Sequence, residues 1–251
     1  MKIGTWNVNG IRARNAQLVD WLDREKPDVV CLQEIKATPE QLPPELKALT
    51  GYHAAWHGMK GYSGVALLLS SNKYDAPDIA YPPFDFENRI VTATIGATII
   101  VASVYIPNGG KDFVAKMKFL RALEAWTASL QAAGKHLVLC GDFNVALTDR
   151  DVHPSERRPV VGQLPEEREL IEAMLGHGLL DVGRAVDPDN DRLFTWWAPW
   201  RNMRQRNIGW RLDYVAASTA LVDETVHCVA YRDVGTSDHA PVIAHLRDEP
   251  C

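Results

Sequence analysis

A series of oxygen- and nitrogen-bearing side chains ends or follows apolar runs of this chain: Asn7, Glu34, Asp142 with Asn144, Asp213, and Asp238 with His239. Strand ends are rigid. Several of them delivering carboxylates and amides to one edge would make a site for a hard cation such as Mg²⁺, with a titratable neighbour to move protons. Taken singly, each residue reads better as a turn former, because Asn and Asp bond their own backbone in turns. Together they favour chemistry. Glu34 closes the run Val30-Cys31-Leu32-Gln33-Glu34, where burying a carboxylate is costly unless a cation or donor pairs with it. Asp238 and His239 lie between Thr236-Ser237 and Ala240-Pro241-Val242. Neighbours on a strand face opposite ways, so the two can serve one site only from an irregular segment before the strand.

Other chemistries leave recognisable patterns, and these are missing: no phosphate-binding Walker loop, no G-x-S-x-G nucleophile turn and no H-E-x-x-H zinc helix. His53 and His57 flank a short apolar stretch and read as ordinary packed or surface histidines. The four cysteines, Cys31, Cys140, Cys228 and Cys251, form no C-x-x-C pair and are expected to be reduced. A different signal comes from Trp196, Trp197, Trp200 and Trp210, interleaved with Arg201, Arg204, Arg206 and Arg211. Cations beside flat rings suit a nucleic-acid backbone and an extruded nucleotide. For Trp197 the simpler reading, a ring covering a sheet face, is preferred. A second basic stretch, Lys111, Lys116, Lys118 and Arg121, reads either as a binding face or as plain solvated charge on a helix.

The elements that must hold these groups are short strands at Val29 to Leu32, Val65 to Leu69, Ile90 to Ile95, Ile99 to Ile106, Leu137 to Leu139, Tyr214 to Ala217 and Pro241 to Leu246. Helices are expected over Gln17 to Lys26 and from Pro165 to the glycines at 176 and 178. The strands cluster instead of alternating with helices, which favours two packed, mostly antiparallel sheets with helices outside. Trp6-Asn7-Val8 and Phe143-Asn144-Val145 form a weak internal echo. The 251 residues show no linker and are expected to form one domain over 1–251. With 27 basic and 32 acidic residues the net charge is -5, so a polyanion must be held by a local basic face. No apolar run reaches the ~20 residues of a membrane span. The first residues already look like a strand, so no signal peptide is expected and the protein is placed in the cytosol, as a monomer.

With these residues in hand, the chain resembles the exonuclease III family of abasic-site (AP) endonucleases, within the endonuclease/exonuclease/phosphatase superfamily. The likeness rests on seven ordered stretches: Thr5-Trp6-Asn7-Val8-Asn9-Gly10, Cys31-Leu32-Gln33-Glu34, Gly61-Tyr62-Ser63-Gly64-Val65, Tyr105-Ile106-Pro107-Asn108, Gly141-Asp142-Phe143-Asn144, Gly209-Trp210-Arg211-Leu212-Asp213-Tyr214 and Ser237-Asp238-His239-Ala240-Pro241. It implies a DNase I-like, four-layer α/β sandwich with the site at one end. It also implies that Glu34 holds Mg²⁺ or Mn²⁺ with Asn7 and Asp238, and that Asp142 orients or deprotonates the attacking water. Asn144 and His239 would bind the phosphate oxygens, Asp213 would buttress the imidazole, and Tyr105 would stabilise the phosphate or leaving oxygen. Trp196, Trp210 and Leu212 would surround a flipped abasic sugar. Arg89 and Lys111, with Asn202 and Asn207, would approach the DNA backbone.

The implied activity is hydrolysis 5′ to an abasic site in double-stranded DNA, with trimming of blocked 3′ ends and some 3′ to 5′ exonuclease action. Two departures stand out. Asn9 occupies a position where some relatives carry an acidic ligand, and His153-Pro154-Ser155-Glu156-Arg157-Arg158-Pro159 replaces an Asn-containing DNA-contact loop, with Arg157 and Arg158 as substitute phosphate contacts. The altered loop keeps a second enzyme reading open, a 3′-end processor with little internal incision.

Overall fold

Apolar runs without alternation become inner strands here because both of their faces are covered. In the computed structural model, which describes residues 1–223 and 227–250, the strands are β1 (Lys2–Asn7), β2 (Val29–Gln33), β3 (Tyr52–Met59), β4 (Tyr62–Ser70), β5 (Asp78–Ala80), β6 (Ile90–Ile95), β7 (Ile99–Tyr105), β8 (His136–Asp142), β9 (Leu179–Asp181), β10 (Asp213–Ser218), β11 (His227–Ala230) and β12 (Val242–His245). The helices are α1 (Ile11–Glu25), α2 (Pro44–Lys47), α3 (Phe113–Ala132), α4 (Pro165–Gly176) and α5 (Val182–Val186). Among the described residues two six-stranded sheets form, in the orders β11-β12-β1-β2-β4-β3 and β5-β6-β7-β8-β10-β9. Only β1–β2 and β7–β8 are parallel. Cys251 lies outside the described residues.

On β2, Val29 and Cys31 face the other sheet, while Val30 and Leu32 face α1. The inter-sheet core also holds Ile3, Leu67, Val101, Val138, Cys140 and Val215. Helix α1 buries Ile11, Leu18, Trp21 and Leu22 against the first sheet. Its Trp21 lies so close to Gly4 that a Cβ there would be 2.5 Å from Cη2, so only glycine fits. Helices α3 and α4 cover the second sheet through Phe119, Leu120, Leu123, Ile171 and Met174. The four layers expected from the clustered strands are therefore present, and the two sheets repeat one plan. In each, a central strand, β1 or β8, has a parallel neighbour on one side and an antiparallel one on the other. The Trp-Asn-Val and Phe-Asn-Val echo falls on the ends of those two central strands.

Three sequence expectations shift. Helix α1 starts at Ile11, earlier than Gln17, because Ile11 anchors a first turn that is followed by no large apolar residue before Leu18. Edge strands β3, β5, β9 and β11 escape pattern reading because they are partly exposed and short or without clean alternation. Lys116 is not solvated charge: it is wholly buried on α3, paired with Glu167 on α4. Among the described residues no helix is long and apolar enough to cross a membrane.

The topology puts the chemistry at one end. Strands β1, β7 and β8 finish there at Asn7, Tyr105 and Asp142, and β2 leads straight into Glu34. The antiparallel partners β10 and β12 begin there, with Asp213 opposite Asp142 and with Asp238 and His239 just ahead of Val242. Strand ends on both sheets therefore converge.

Candidate active site

Asp142 closes β8 in the middle of the second sheet and is 1% exposed. It accepts hydrogen bonds from the Asn7 amide (Nδ2 to Oδ2, 2.8 Å) and from the Asn144 backbone (N to Oδ1, 2.9 Å). Burial, together with the charges of Asp213 and Glu34, pushes its carboxyl up to about 7 even though His239 Nε2 lies 3.7 Å away. Asn7, also buried, spans the two carboxylates, donating to Glu34 Oε1 at 2.9 Å, while its own oxygen accepts from the Asn9 backbone at 3.0 Å. Its amide nitrogen therefore faces the site. Glu34 and Asn144 both have φ of 51°, in the left-handed region, a conformation that turns each side chain off its strand toward the common edge.

His239 donates through Nδ1–H to Asp213 Oδ2 at 2.8 Å, and both are buried. Burial disfavours an imidazolium, yet Asp213 and Asp142 outweigh it and raise this histidine to about 10. At neutral pH the ring is a cation whose Nε2–H points at the cleft. Asp213 is itself held by its backbone N–H on Thr195 Oγ1 at 3.0 Å. Burial and the charges of Glu34 and Asp142 push the Tyr105 hydroxyl well above its usual range, which keeps it a neutral donor.

One oxygen or nitrogen each from Glu34, Asp142 and His239 lie within 4.8 Å of one another. Because His239 is protonated, the usable ligands are oxygens, and the carboxylates of Glu34, Asp142, Asp213 and Asp238 together outnumber the Lys36 and His239 cations, an excess of negative charge that suits a hard divalent ion. Burial alone would raise Glu34, but the Asn7 amide and the Lys36 ammonium, 2.6 Å from Oε2, hold it below the usual range. Lys36 also donates to Asn9 Oδ1 at 2.6 Å. Asp238 is turned slightly away: Oδ1 accepts from Asn9 Nδ2 at 2.8 Å and Oδ2 from Trp196 Nε1 at 3.0 Å.

A cleft of about 280 Å³ opens over these groups, lined by Glu34, Tyr105, Asp142, Asn144, Asp238 and His239 on its floor and by Trp196, Trp210, Leu212, Val161 and Gly162 on its wall. Trp196 and Trp210 meet edge to face with centroids 5.7 Å apart. Leu212 is 5% exposed and packs on Ala146 and Val152. Gly162, with φ of 92°, lies against the Trp210 ring; a Cβ there would be 3.1 Å from Cζ3.

The residues implied as backbone contacts separate into two kinds. Lys111 and Asn202 are exposed, as are Arg201, Arg206 and Trp200, the last 59% exposed; Lys111 lines a neighbouring hollow that shares Tyr105 and Asn108 with the cleft, and Trp200, Arg201 and Asn202 line one that shares Asp238. Arg89, by contrast, is 2% exposed, paired with Glu87, bonded to the Tyr62 hydroxyl at 3.0 Å and stacked over the Tyr105 ring at 4.8 Å. Asn207 accepts from Trp197 Nε1 at 3.2 Å, and Trp197 packs with Phe194, Met203 and Ala240 instead of on a sheet face. Arg204 donates to the carbonyls of Arg232, Val234 and Ser237, so its charge is consumed internally. Arg157 likewise bonds the carbonyls of Asp149 and Val152. Sequence reasoning missed Lys36, Asn108, Val161 and Gly162. Lys36, two residues after Glu34, was the most discoverable of them.

Comparison with known proteins agrees with this geometry. The model of the Endonuclease/Exonuclease/phosphatase family matches residues 4–239. The DNA repair nuclease APEX1 of Danio rerio is 35% identical over 98% of this chain and 82% of its own length. The 3′ phosphatase NExo from Neisseria, solved bound to a product DNA hairpin, superposes with a TM-score of 0.85 at 31% identity, covering 98% of this chain and 99% of that one. An AP endonuclease from Archaeoglobus fulgidus superposes at 0.82 with 30% identity, over 98% and 99% of the two chains.

Proposed function

The chain belongs to the endonuclease/exonuclease/phosphatase family, in its exonuclease III branch of AP endonucleases, and we propose that it acts as a Mg²⁺-dependent DNA-repair phosphodiesterase. It is a hydrolytic nuclease, and the bond it cuts lies 5′ to an abasic site in double-stranded DNA, leaving a 3′-hydroxyl and a 5′-deoxyribose phosphate. The same site removes blocking groups from 3′ ends and trims 3′ to 5′. It works as a monomer in the cytosol.

The strongest support for this reading is the joining of a buried carboxylate, a protonated histidine and an aromatic-walled cavity in one cleft. Glu34, with Asp238 beside it, would hold the divalent cation, Mg²⁺ or Mn²⁺, which when bound supplies positive charge to the phosphoryl oxygens, while the Asn7 amide nitrogen holds the Glu34 and Asp142 carboxylates in place. Asp142, whose carboxyl titrates near neutral pH, takes the proton of the attacking water. His239 and the Asn144 amide bind the non-bridging oxygens, where negative charge grows as the P–O bond breaks, and Asp213 keeps the imidazole charged and aimed. The Tyr105 hydroxyl donates to the phosphate or to the departing 3′-oxygen.

Trp196, Trp210 and Leu212 exclude an intact nucleotide by size and admit a sugar without its base, whose extrusion costs least. Lys111, Arg201 and Arg206 supply phosphate contacts at the rim. The similarity to a 3′ phosphatase as well as to an AP endonuclease keeps the 3′-end processor as the second reading. Gel-resolved cleavage of a labelled duplex with one internal abasic analogue, beside a matched 3′-phosphate duplex, with Mg²⁺ or EDTA, separates them. Fast Mg²⁺-dependent internal incision is expected; removal of the 3′-phosphate without incision would replace the first reading with the second.

A further inference from the structure

Lys116 and Glu167 form an ion pair with no solvent exposure on either side. Removing two charges from water is expensive, and such a pair is often no better for stability than apolar residues of the same shape. Its contacts suggest another use. All three ammonium donors are engaged: one on Glu167 Oε1, one on the Asn144 carbonyl at 2.8 Å and one on the Asn108 carbonyl at 3.3 Å. The other Glu167 oxygen accepts from the backbone N–H groups of Gly162 at 2.7 Å and Leu164 at 3.1 Å. One ion pair therefore fastens three separate loops, and each loop contributes a residue to the cleft: Asn108, Asn144 and Gly162.

These attachments bear on the reacting groups. Asn144 sits in the left-handed region, and its carbonyl is fixed by Lys116 while its side chain reaches Asp142 Oδ2 at 3.3 Å and accepts from Asn108 Nδ2 at 3.2 Å. Gly162 backs the Trp210 ring. The Lys116 stem runs beneath Gly109, where a Cβ would be 2.6 Å from Lys116 Cδ, so the loop carrying Asn108 is seated directly on it.

We propose that the Lys116–Glu167 pair is a positioning device for the hydrolytic site, setting Asn108, the phosphate-binding Asn144 and the Trp210 wall in one geometry; this rests on the function proposed above. Its contribution is to turnover more than to binding, because neither residue reaches the cleft. Lys116→Met alone strands a buried carboxylate and is expected to lower Tm. The decisive variant is therefore Lys116→Met with Glu167→Gln, which keeps both volumes, leaves no charge unpaired and retains an acceptor for Gly162 and Leu164.

Expected for the double variant are a Tm near wild type, unchanged Mg²⁺ affinity by calorimetry, and KM near wild type. Its kcat should be lower by about 10- to 100-fold, the usual result of misplacing reacting groups by an ångström or less. A wild-type kcat overturns the proposal, as does a loss that disappears when each protein is assayed at the same interval below its own Tm. If wild type itself cuts neither an abasic nor a 3′-phosphate duplex, the function fails independently of the strut. The strut is then read from the amide resonances of Asn108, Asn144 and Gly162. These should move in the double variant while Asp238, across the cleft, stays fixed; unmoved resonances refute it.

Discussion

Replacing Asp213 by Asn removes a charge from beneath His239 with almost no change of shape. The imidazole stands at about 10 against a usual 6.5, a preference for the cation of about 5 kcal/mol. Burial works against that preference, and Asp213, bonded at 2.8 Å, is its largest favourable source, ahead of Asp142. A hydrogen bond to a charged group is worth about 1.5–3 kcal/mol and a neutral one about 1, so the amide should lower the histidine by about 0.4 to 1.5 pKa units. His239 would still be protonated at pH 7. Incision there should fall only through looser aim, while the alkaline limb of the pH–rate profile moves down by the same amount. The sign for stability follows. A raised histidine stabilises the fold fully below about pH 6.5 and loses that contribution as pH rises through about 10. The variant should therefore lose most stability below pH 6.5 and converge with wild type by pH 10. NMR titration of the His239 ring and urea unfolding at both pH values measure this. A His239 pKa that stays near 10 would show that Asp213 is not what keeps the ring charged.

Gly162→Ala places a methyl 3.1 Å from Trp210 and 3.2 Å from the Asn144 carbonyl, at a φ of 92° that alanine tolerates poorly. It should cost about 1 kcal/mol or more and slow abasic incision more than removal of a 3′-phosphate; equal losses would deny the wall a role in selectivity. Lys111→Ala and Arg201→Ala should each reduce the slope of log affinity against log salt by about 0.9, whereas Arg204→Ala should leave the slope alone and lower Tm, since its donors are spent on three carbonyls. Glu34→Gln should remove the calorimetric signal of Mg²⁺ binding and slow cleavage on the order of 10²- to 10³-fold with the fold intact by circular dichroism.

Much of the sandwich was legible because its inner strands are buried on both faces and so read as unbroken apolar runs, as at Val29 to Leu32 and Val65 to Leu69. The half-exposed edges, such as β3 and β11, carry no such signature. Glu34, Asp142, Asp213 and His239 stand out in the sequence itself as polar groups at strand ends, since a buried carboxylate after an apolar run demands a partner. What the sequence hides is the fate of its cations. Lys116 and Arg204 read as surface or DNA-facing charge, and Arg89 as a DNA contact, but Lys116 is taken up by a carboxylate and Arg204 by carbonyls from distant segments, and Arg89 by Glu87 and the Tyr62 hydroxyl. Gly162 is equally silent, because its neighbour Trp210 is contributed by another loop.

Hydrolysis by an Asp142-activated water is tested most directly by single-turnover incision of an internal abasic duplex in ¹⁸O-labelled water with Mg²⁺, with the masses of both new ends measured for wild type and Asp142→Asn. Expected are a plain 3′-hydroxyl, ¹⁸O in the 5′-phosphate, and a rate in the variant lower on the order of 10²- to 10³-fold. An unsaturated sugar fragment on the 3′ end with no ¹⁸O in the phosphate, or undiminished cleavage by Asp142→Asn, would contradict that mechanism.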